Sequence, residues 1–230
     1  MVNTLLFDLD GTLVDSVPDI AFALNTMRAQ LHLPTITLEV VKNIVGRGFP
    51  TTVQLILELD MTQTEAKKLH AKAFSLTLQA YSENHGKHTT IYVGVLSTLI
   101  FLKKHHYKMA IVTNKEEAHA SALLEKIGLA SYFDCIIGGD TTDHYKPHPD
   151  SIFEALSRLK SKPNDAIMIG DSKTDIDAAH NAAIPVVAVT YGYNHNTPIS
   201  HYHPEYIIDA MSELPSLLKT LTTTQPLEIK

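Results

Sequence analysis

A single cysteine, no tryptophan and no basic run longer than a pair mark what this sequence does without. The lone Cys135 has no partner for an internal disulfide, which excludes a cross-linked secreted framework. Inside the apolar run FDCIIGG it reads as a small buried hydrophobe. Positive charge is scarce: 19 Lys and Arg against 25 Asp and Glu leave a formal net charge of −6. Such a chain lacks the basic face that nucleic-acid binding needs, so no nucleic-acid partner is expected. Long hydrophobic runs are missing too. The longest, IYVGVLSTLIFL at 91–102, falls short of the roughly 20 residues that a bilayer span requires. No basic leader precedes an apolar stretch at the N-terminus. The expectation is a cytoplasmic protein without a membrane partner, a monomer or homodimer. No internal repeat occurs, and the one biased tract is TLTTTQ at 220–225.

What is present describes a folded α/β chain. Apolar residues make up 44% and charged residues 19%, the balance of a chain that buries a core. Six short apolar runs predict strands: TLLFDL (4–9), KMAIVT (108–113), CIIGG (135–139), AIMIG (166–170), VVAVT (186–190) and YIID (206–209). Helical patterns separate them. AHASALLEKIGL is ended by Gly128, and SIFEALSRLK sets Ile152, Phe153, Leu156 and Leu159 on one face. Continuous apolar strands alternating with helices predict a doubly wound parallel sheet covered on both faces. From about Asp15 to Thr90 the alternation stops and only helix-like stretches occur. They begin at Ser16, with Pro18 and Asp19 as start signals, and SENHGKHTT at 82–90 is the expected return linker. The expected organisation is an α/β core from 1–14 and 91–230, interrupted by a helical insert at 15–90.

The unusual residues stand at strand ends. FDLDGT puts Asp8 and Asp10 after a nearly pure apolar run, although carboxylates are rarely buried without a partner. In an open α/β sheet, ligands gather outside the carboxyl ends of the strands. There the later strands deliver Thr113 and Asn114 as hydroxyl and amide donors, Lys146 in HYKPHPD, and Asp171 with Asp175 one helical turn on. Clustered acids suit a hard divalent cation with oxygen ligands, and Mg²⁺ also takes waters and phosphate oxygens. Lys146 and the Thr113 hydroxyl would face an anion beside it, with oriented N–H groups of helix N-termini. Gly11 permits the sharp turn that brings backbone N–H groups to a phosphate. Asp8, ending the strand, suits attack on phosphorus. Asp10, on the same side of an extended chain, suits proton exchange with the leaving group and then with water.

DLDGT, Thr113 after an apolar strand, Lys146 in KPHP, and GDSKTD together resemble, in order, the four motifs of the haloacid dehalogenase (HAD) superfamily of phosphohydrolases. The resemblance spans essentially the whole chain. It implies an α/β fold: a doubly wound parallel-sheet (HAD-like, Rossmannoid) core with an inserted α-helical cap domain. It also implies Asp8 as nucleophile, Asp10 as general acid/base, and Thr113 and Lys146 on the transferred phosphoryl group. Mg²⁺ would be held by Asp8, the backbone carbonyl of Asp10 and Asp171, with Asp175 either a ligand or a partner of the ligands. Within the superfamily, DGTLVDSVPDI, KPHPD, GDSKTDI and VTYGYN resemble the phosphoglycolate phosphatase branch. That branch implies hydrolysis of a small phosphorylated metabolite, 2-phosphoglycolate, through an aspartyl-phosphate on Asp8. The chain departs from the family pattern at Val93, Thr174 and Ala183, where proline, asparagine and glycine are usual.

Two cations of the insert, Arg47 within GRG (46–48) and Lys42, are candidates for reading a substrate carboxylate. The 13 histidines, among them His144 and His148, HH at 105–106 and HYH at 201–203, show no zinc-like spacing with soft ligands and are expected to be solvated. A pyrophosphatase or a β-phosphoglucomutase-like phosphotransferase would keep the phosphoenzyme and change the acceptor. The mutase branch carries an acidic residue where this chain has Gly170. A phosphate-accepting or phosphate-binding regulatory protein is the non-enzyme alternative, but a receiver module is far shorter and has no helical insert.

Overall fold

A computed structural model of the chain describes residues 2–223. Its strands are β1 (Thr4–Phe7), β2 (Val14–Asp15), β3 (Thr90–Ile91), β4 (Lys108–Val112), β5 (Cys135–Ile137), β6 (Ala166–Gly170), β7 (Val186–Val189) and β8 (Tyr206–Ile208). Six of them form one sheet in the order β5-β4-β1-β6-β7-β8, with every neighbouring pair parallel. The six expected apolar runs are those six strands. The order reverses at β1, so the carboxyl ends of β1, β4 and β6 converge at the switch point where open sheets bind ligands.

The sheet is covered on both faces, which is why its strands read as near-continuous apolar runs rather than alternating ones. Leu5 and Phe7 of β1 point into one buried layer with Val95, Leu99 and Leu102 of α5 (Val95–Lys104). Leu6 points into the other, with Ile152 and Leu156 of α7 (Asp150–Arg158) and Ile176 of α8 (Lys173–Asn181). α6 (Glu117–Lys126) and α9 (Leu214–Thr223) complete the first layer. The single face expected for α7 holds for Ile152, Leu156 and Leu159, whereas Phe153 is exposed at 45%. One residue on from Ile152, it is turned about 100° away around the helix.

Residues 17–84 form four helices with a core of their own: α1 (Val17–Gln30), α2 (Leu38–Lys42), α3 (Phe49–Leu57) and α4 (Gln63–Asn84). The first three residues of SENHGKHTT are thus helical. The chain enters and leaves this unit through a ribbon the sequence did not suggest, β2 paired antiparallel with β3, Val14 opposite Ile91 and Asp15 opposite Thr90. Asp19 adds a second tie. Fully buried, it accepts from the His88 N–H, the Thr89 N–H and the Thr89 hydroxyl. The start signals at Ser16 and Asp19 are therefore spent otherwise than on capping: Asp19 closes the unit's two ends, and the Ser16 hydroxyl turns to Asp10 at 2.5 Å. Ala183 has φ +54°, which explains a usual glycine there. TLTTTQ is helical through Thr223, and its last two residues lie outside the described residues. No helix among the described residues is long and apolar enough to cross a membrane.

Candidate active site

Four strand ends and the helical unit enclose one cavity, lined by Asp8, Asp10, Thr113, Lys115, Lys146 and Asp171 from the sheet side and by Val45, Gly46, Phe49 and Thr52 from the helices. Asp8 follows β1, and its carboxylate accepts from Lys146 Nζ at 2.8 Å. The same ammonium donates to Asp175 Oδ1 at 2.6 Å and to the Val112 carbonyl at 2.6 Å. Lys146 is 2% exposed, so its charge is usable there only because two carboxylates face it. Burial would lower its pKa; Asp175 and Asp8 outweigh that and raise it.

Asp10 is held by a residue that sequence reasoning passed over. Lys115 Nζ lies 2.6 Å from both Asp10 oxygens and 5.2 Å from the Tyr81 ring centroid, buried at the carboxyl end of β4. In the sequence VTNK nothing separates Lys115 from a solvated lysine just past a strand.

Asp171 follows β6 and accepts from the Thr12 hydroxyl at 2.7 Å and the Tyr193 N–H at 2.6 Å. Asp175, in the first turn of α8, has Oδ2 taken up by the N–H and hydroxyl of Ser172 and by the Asp171 N–H. Tyr193 also bears on the ribbon: its hydroxyl donates to Asp15 at 2.7 Å and accepts from the Ser16 and Val17 N–H groups.

Two residues expected at the phosphate, Gly11 and Asn114, have donors engaged elsewhere. The Gly11 N–H is spent on the Val14 carbonyl at 2.8 Å. What this glycine supplies is room: at φ +95°, a Cβ would fall 2.3 Å from Asp171 Oδ2. The Asn114 amide donates both hydrogens elsewhere, to the Lys146 carbonyl at 2.9 Å and the Gly46 carbonyl at 3.2 Å. It joins the Lys146 loop to the helical unit, and its side chain has no donor left for an anion. Thr113 keeps its donor, since its oxygen only accepts, from the Lys115 N–H. Arg47 and Lys42 are both exposed. Arg47 lines an adjoining cavity with Phe74 and Tyr145, one that shares Gly48 and Asn114 with the first; Lys42 lines neither.

The charge balance sets what the site can hold. Four carboxylates (Asp8, Asp10, Asp171, Asp175) face two ammonium groups (Lys115, Lys146), leaving two negative charges unmatched. Burial, then the neighbouring acids Asp175 and Asp10, push Asp8 up to about 7 against the opposing pull of Lys146. Burial and the charges of Asp8 and Asp175 raise Asp171 well above the carboxylate range. Oxygens of Asp8, Asp171 and Asp175 lie within 4.8 Å of one another. An all-oxygen donor set short of two positive charges fits a hard divalent cation such as Mg²⁺.

A family model described as haloacid dehalogenase-like hydrolase matches residues 5–189. Phosphoglycolate phosphatase of Pseudomonas syringae pv. tomato is 39% identical over 211 residues, 91% of this chain and 77% of that protein. The Nitrosococcus oceani phosphoglycolate phosphatase is 38% identical over 214 residues, covering 93% and 95%. The solved structure of a predicted phosphoglycolate phosphatase from Haemophilus somnus matches with a TM-score of 0.86 at 32% identity, covering 94% of this chain and 98% of that one. A β-phosphoglucomutase from Clostridium difficile shares the fold, with a TM-score of 0.78 at 19% identity over 97% of this chain and 98% of that one. With the family model spanning most of the chain, and relatives this similar over nine-tenths of it, the chain belongs to the haloacid dehalogenase-like hydrolase family, within which it is a phosphoric monoester hydrolase similar to the phosphoglycolate phosphatases.

Proposed function

We propose that the chain hydrolyses 2-phosphoglycolate to glycolate and phosphate through an aspartyl-phosphate on Asp8, with Mg²⁺ as cofactor. The observation that carries the reading is the paired arrangement at the end of β1: Asp8 on Lys146 and Asp10 on Lys115, both lining one cavity. Asp8 and Asp171 would hold the metal with the Asp10 backbone carbonyl, while Asp175, most of its oxygen capacity already taken, orients Lys146. When bound, Mg²⁺ supplies charge stabilisation at the phosphoryl oxygens.

Within that frame each side chain has a task. The Asp8 carboxylate attacks phosphorus as the glycolate oxygen departs. Asp10 gives that oxygen a proton, then takes one from the water that hydrolyses the acyl phosphate. Lys146 and the Thr113 hydroxyl bind the phosphoryl oxygens. The substrate is an anion and would compete with Asp10 for Lys115. The helical unit acts as a cap over the cavity, and Arg47, one cavity away, is its candidate contact for the substrate carboxylate. A phosphotransferase reading has less support: a Cβ at Gly170 would lie 2.3 Å from the Asp175 Cβ, leaving no room for an acid there.

Phosphate release from 2-phosphoglycolate, pyrophosphate and hexose phosphates, compared as kcat/KM in Mg²⁺ and after EDTA, tests the reading. The expected result is the highest kcat/KM on 2-phosphoglycolate, abolished by EDTA and restored by Mg²⁺. A higher value on pyrophosphate or a hexose phosphate overturns the substrate, and turnover persisting in EDTA overturns the metal.

A further inference from the structure

The segment that carries Lys146 gathers a second set of ligating groups on its outer side. His144 Nδ1 lies 2.9 Å from Asp150 Oδ2, and His148 Nδ1 lies 3.1 Å from Asp150 Oδ1. The two rings are 4.5 Å apart and tilted by 33°. One ligating atom from each of the three residues lies within 4.8 Å of the other two. In sequence the spacing is H-x3-H-x-D, and Pro147 and Pro149 keep the segment out of a helix. The structure closes it with a turn, the His148 N–H donating to the Tyr145 carbonyl at 3.0 Å, and with the start of α7 at Asp150. Both histidines are exposed, as expected of solvated side chains, but each also faces Asp150.

We propose that His144, His148 and Asp150 form a metal site for a borderline divalent ion of the Zn²⁺, Co²⁺ and Ni²⁺ class, separate from the carboxylate cavity. Two imidazoles and one carboxylate suit such ions, whereas Mg²⁺ prefers oxygen ligands throughout. The geometry is close to what one ion needs. Tetrahedral ligands at bond lengths of about 2.0–2.1 Å stand about 3.3 Å apart. Each histidine Nδ1 lies within a few tenths of an ångström of that from an Asp150 oxygen, His144 from Oδ2 and His148 from Oδ1. Side-chain exposures of 62% for His144 and 49% for His148 give an ion direct entry from solvent and leave a fourth position for water. The ligands bracket Lys146 and Pro147, so an ion here cross-links both sides of the residue that pairs with Asp8.

Histidine-ring NMR of the full chain, titrated with Zn²⁺ in saturating Mg²⁺, tests the site. The ring signals of His144 and His148 are expected to shift together to a one-to-one end point before the other eleven of the 13 histidines move. His148→Gln should weaken the Zn²⁺ binding read at His144 by about tenfold or more, and its turnover in Mg²⁺ alone, unchanged, reports that it is folded. Shifts at other histidines with His144 and His148 still, or equal Zn²⁺ affinity in His148→Gln, overturn the proposal.

Discussion

The carboxyl edge of the sheet and the helical unit above it both bury charge, but they hold it differently. At the sheet edge, four carboxylates and two lysines crowd one cavity, and the charges do not balance. In the helical unit the buried cation is Arg28, 1% exposed, and it is satisfied: its guanidinium donates to the Pro34 and Ile56 carbonyls and to Asp60 at 2.6 Å. One region is left with an electrostatic deficit that a metal and a phosphate can answer, and the other is closed on itself. Reactivity belongs where the protein leaves charge unmatched; a balanced buried pair contributes to the structure alone.

The largest expected effect strikes the first region. Asp8→Asn removes the carboxylate proposed to attack phosphorus while leaving Lys146 on Asp175, so turnover on 2-phosphoglycolate should fall by at least about a thousandfold. Circular dichroism and the denaturant midpoint should stay near those of the parent. Hydrolysis at the parental rate would remove Asp8 from the chemistry. The counterpart is Arg28→Met, which leaves two carbonyls and Asp60 without their donor. It should cost roughly 3 kcal/mol of stability in urea unfolding, with kcat per folded molecule unchanged. If kcat collapses instead at full stability, the division between the two regions is wrong.

The sheet edge was legible because each of its acids follows an apolar run, and a charge at the end of a buried strand demands a partner. Those runs also pointed to a parallel sheet, since strands covered on both faces are mostly apolar. Lys115 escaped because a lysine after a strand is ordinarily solvated. Only the fold reveals that Asp10 and Tyr81 enclose it. Tyr193 lay in view within VTYGYN, but its work is done through a backbone N–H and a phenol, neither of which leaves a compositional trace. His144 and His148 are four residues apart, but Pro147 and Pro149 rule out a helix between them, so only the turn shows that they meet. The helical unit was legible as helices and not as a site, because which side chain reaches the cavity depends on loop geometry.

Arg47 sharpens the comparison from the helical side. Exposed, and lining the adjoining cavity, it has no described partner to leave unsatisfied. Arg47→Ala should therefore spare stability. A guanidinium–carboxylate contact is a charge-assisted pair, so kcat/KM for 2-phosphoglycolate should fall by about tenfold while an aryl phosphate lacking the carboxylate loses much less. Equal losses on the two substrates would show that Arg47 does not read the carboxylate.

Tyr193 tests whether the two regions communicate at all. Its N–H holds Asp171 at the sheet edge, and its hydroxyl, on the same residue, holds Asp15 and the first amides of α1 at the entry to the helical unit. Tyr193→Phe keeps the ring and the N–H and deletes only the second set of bonds. Burial raises the phenol's pKa well beyond the ordinary tyrosine value, so it stays protonated and donates to Asp15 throughout the working range. Losing that donor should cost about 1 kcal/mol of stability, read in urea. If the ribbon merely tethers the helical unit, kcat and KM stay put at that modest loss. If it sets how the helices close over the cavity, KM for 2-phosphoglycolate rises by a few-fold while the Mg²⁺ affinity, which on the proposed reading depends on Asp171 and its retained N–H contact, does not move. A fall in metal affinity would mean instead that the hydroxyl and the N–H act as one unit, and the sheet edge and the helical cap would then be a single site rather than two coupled ones.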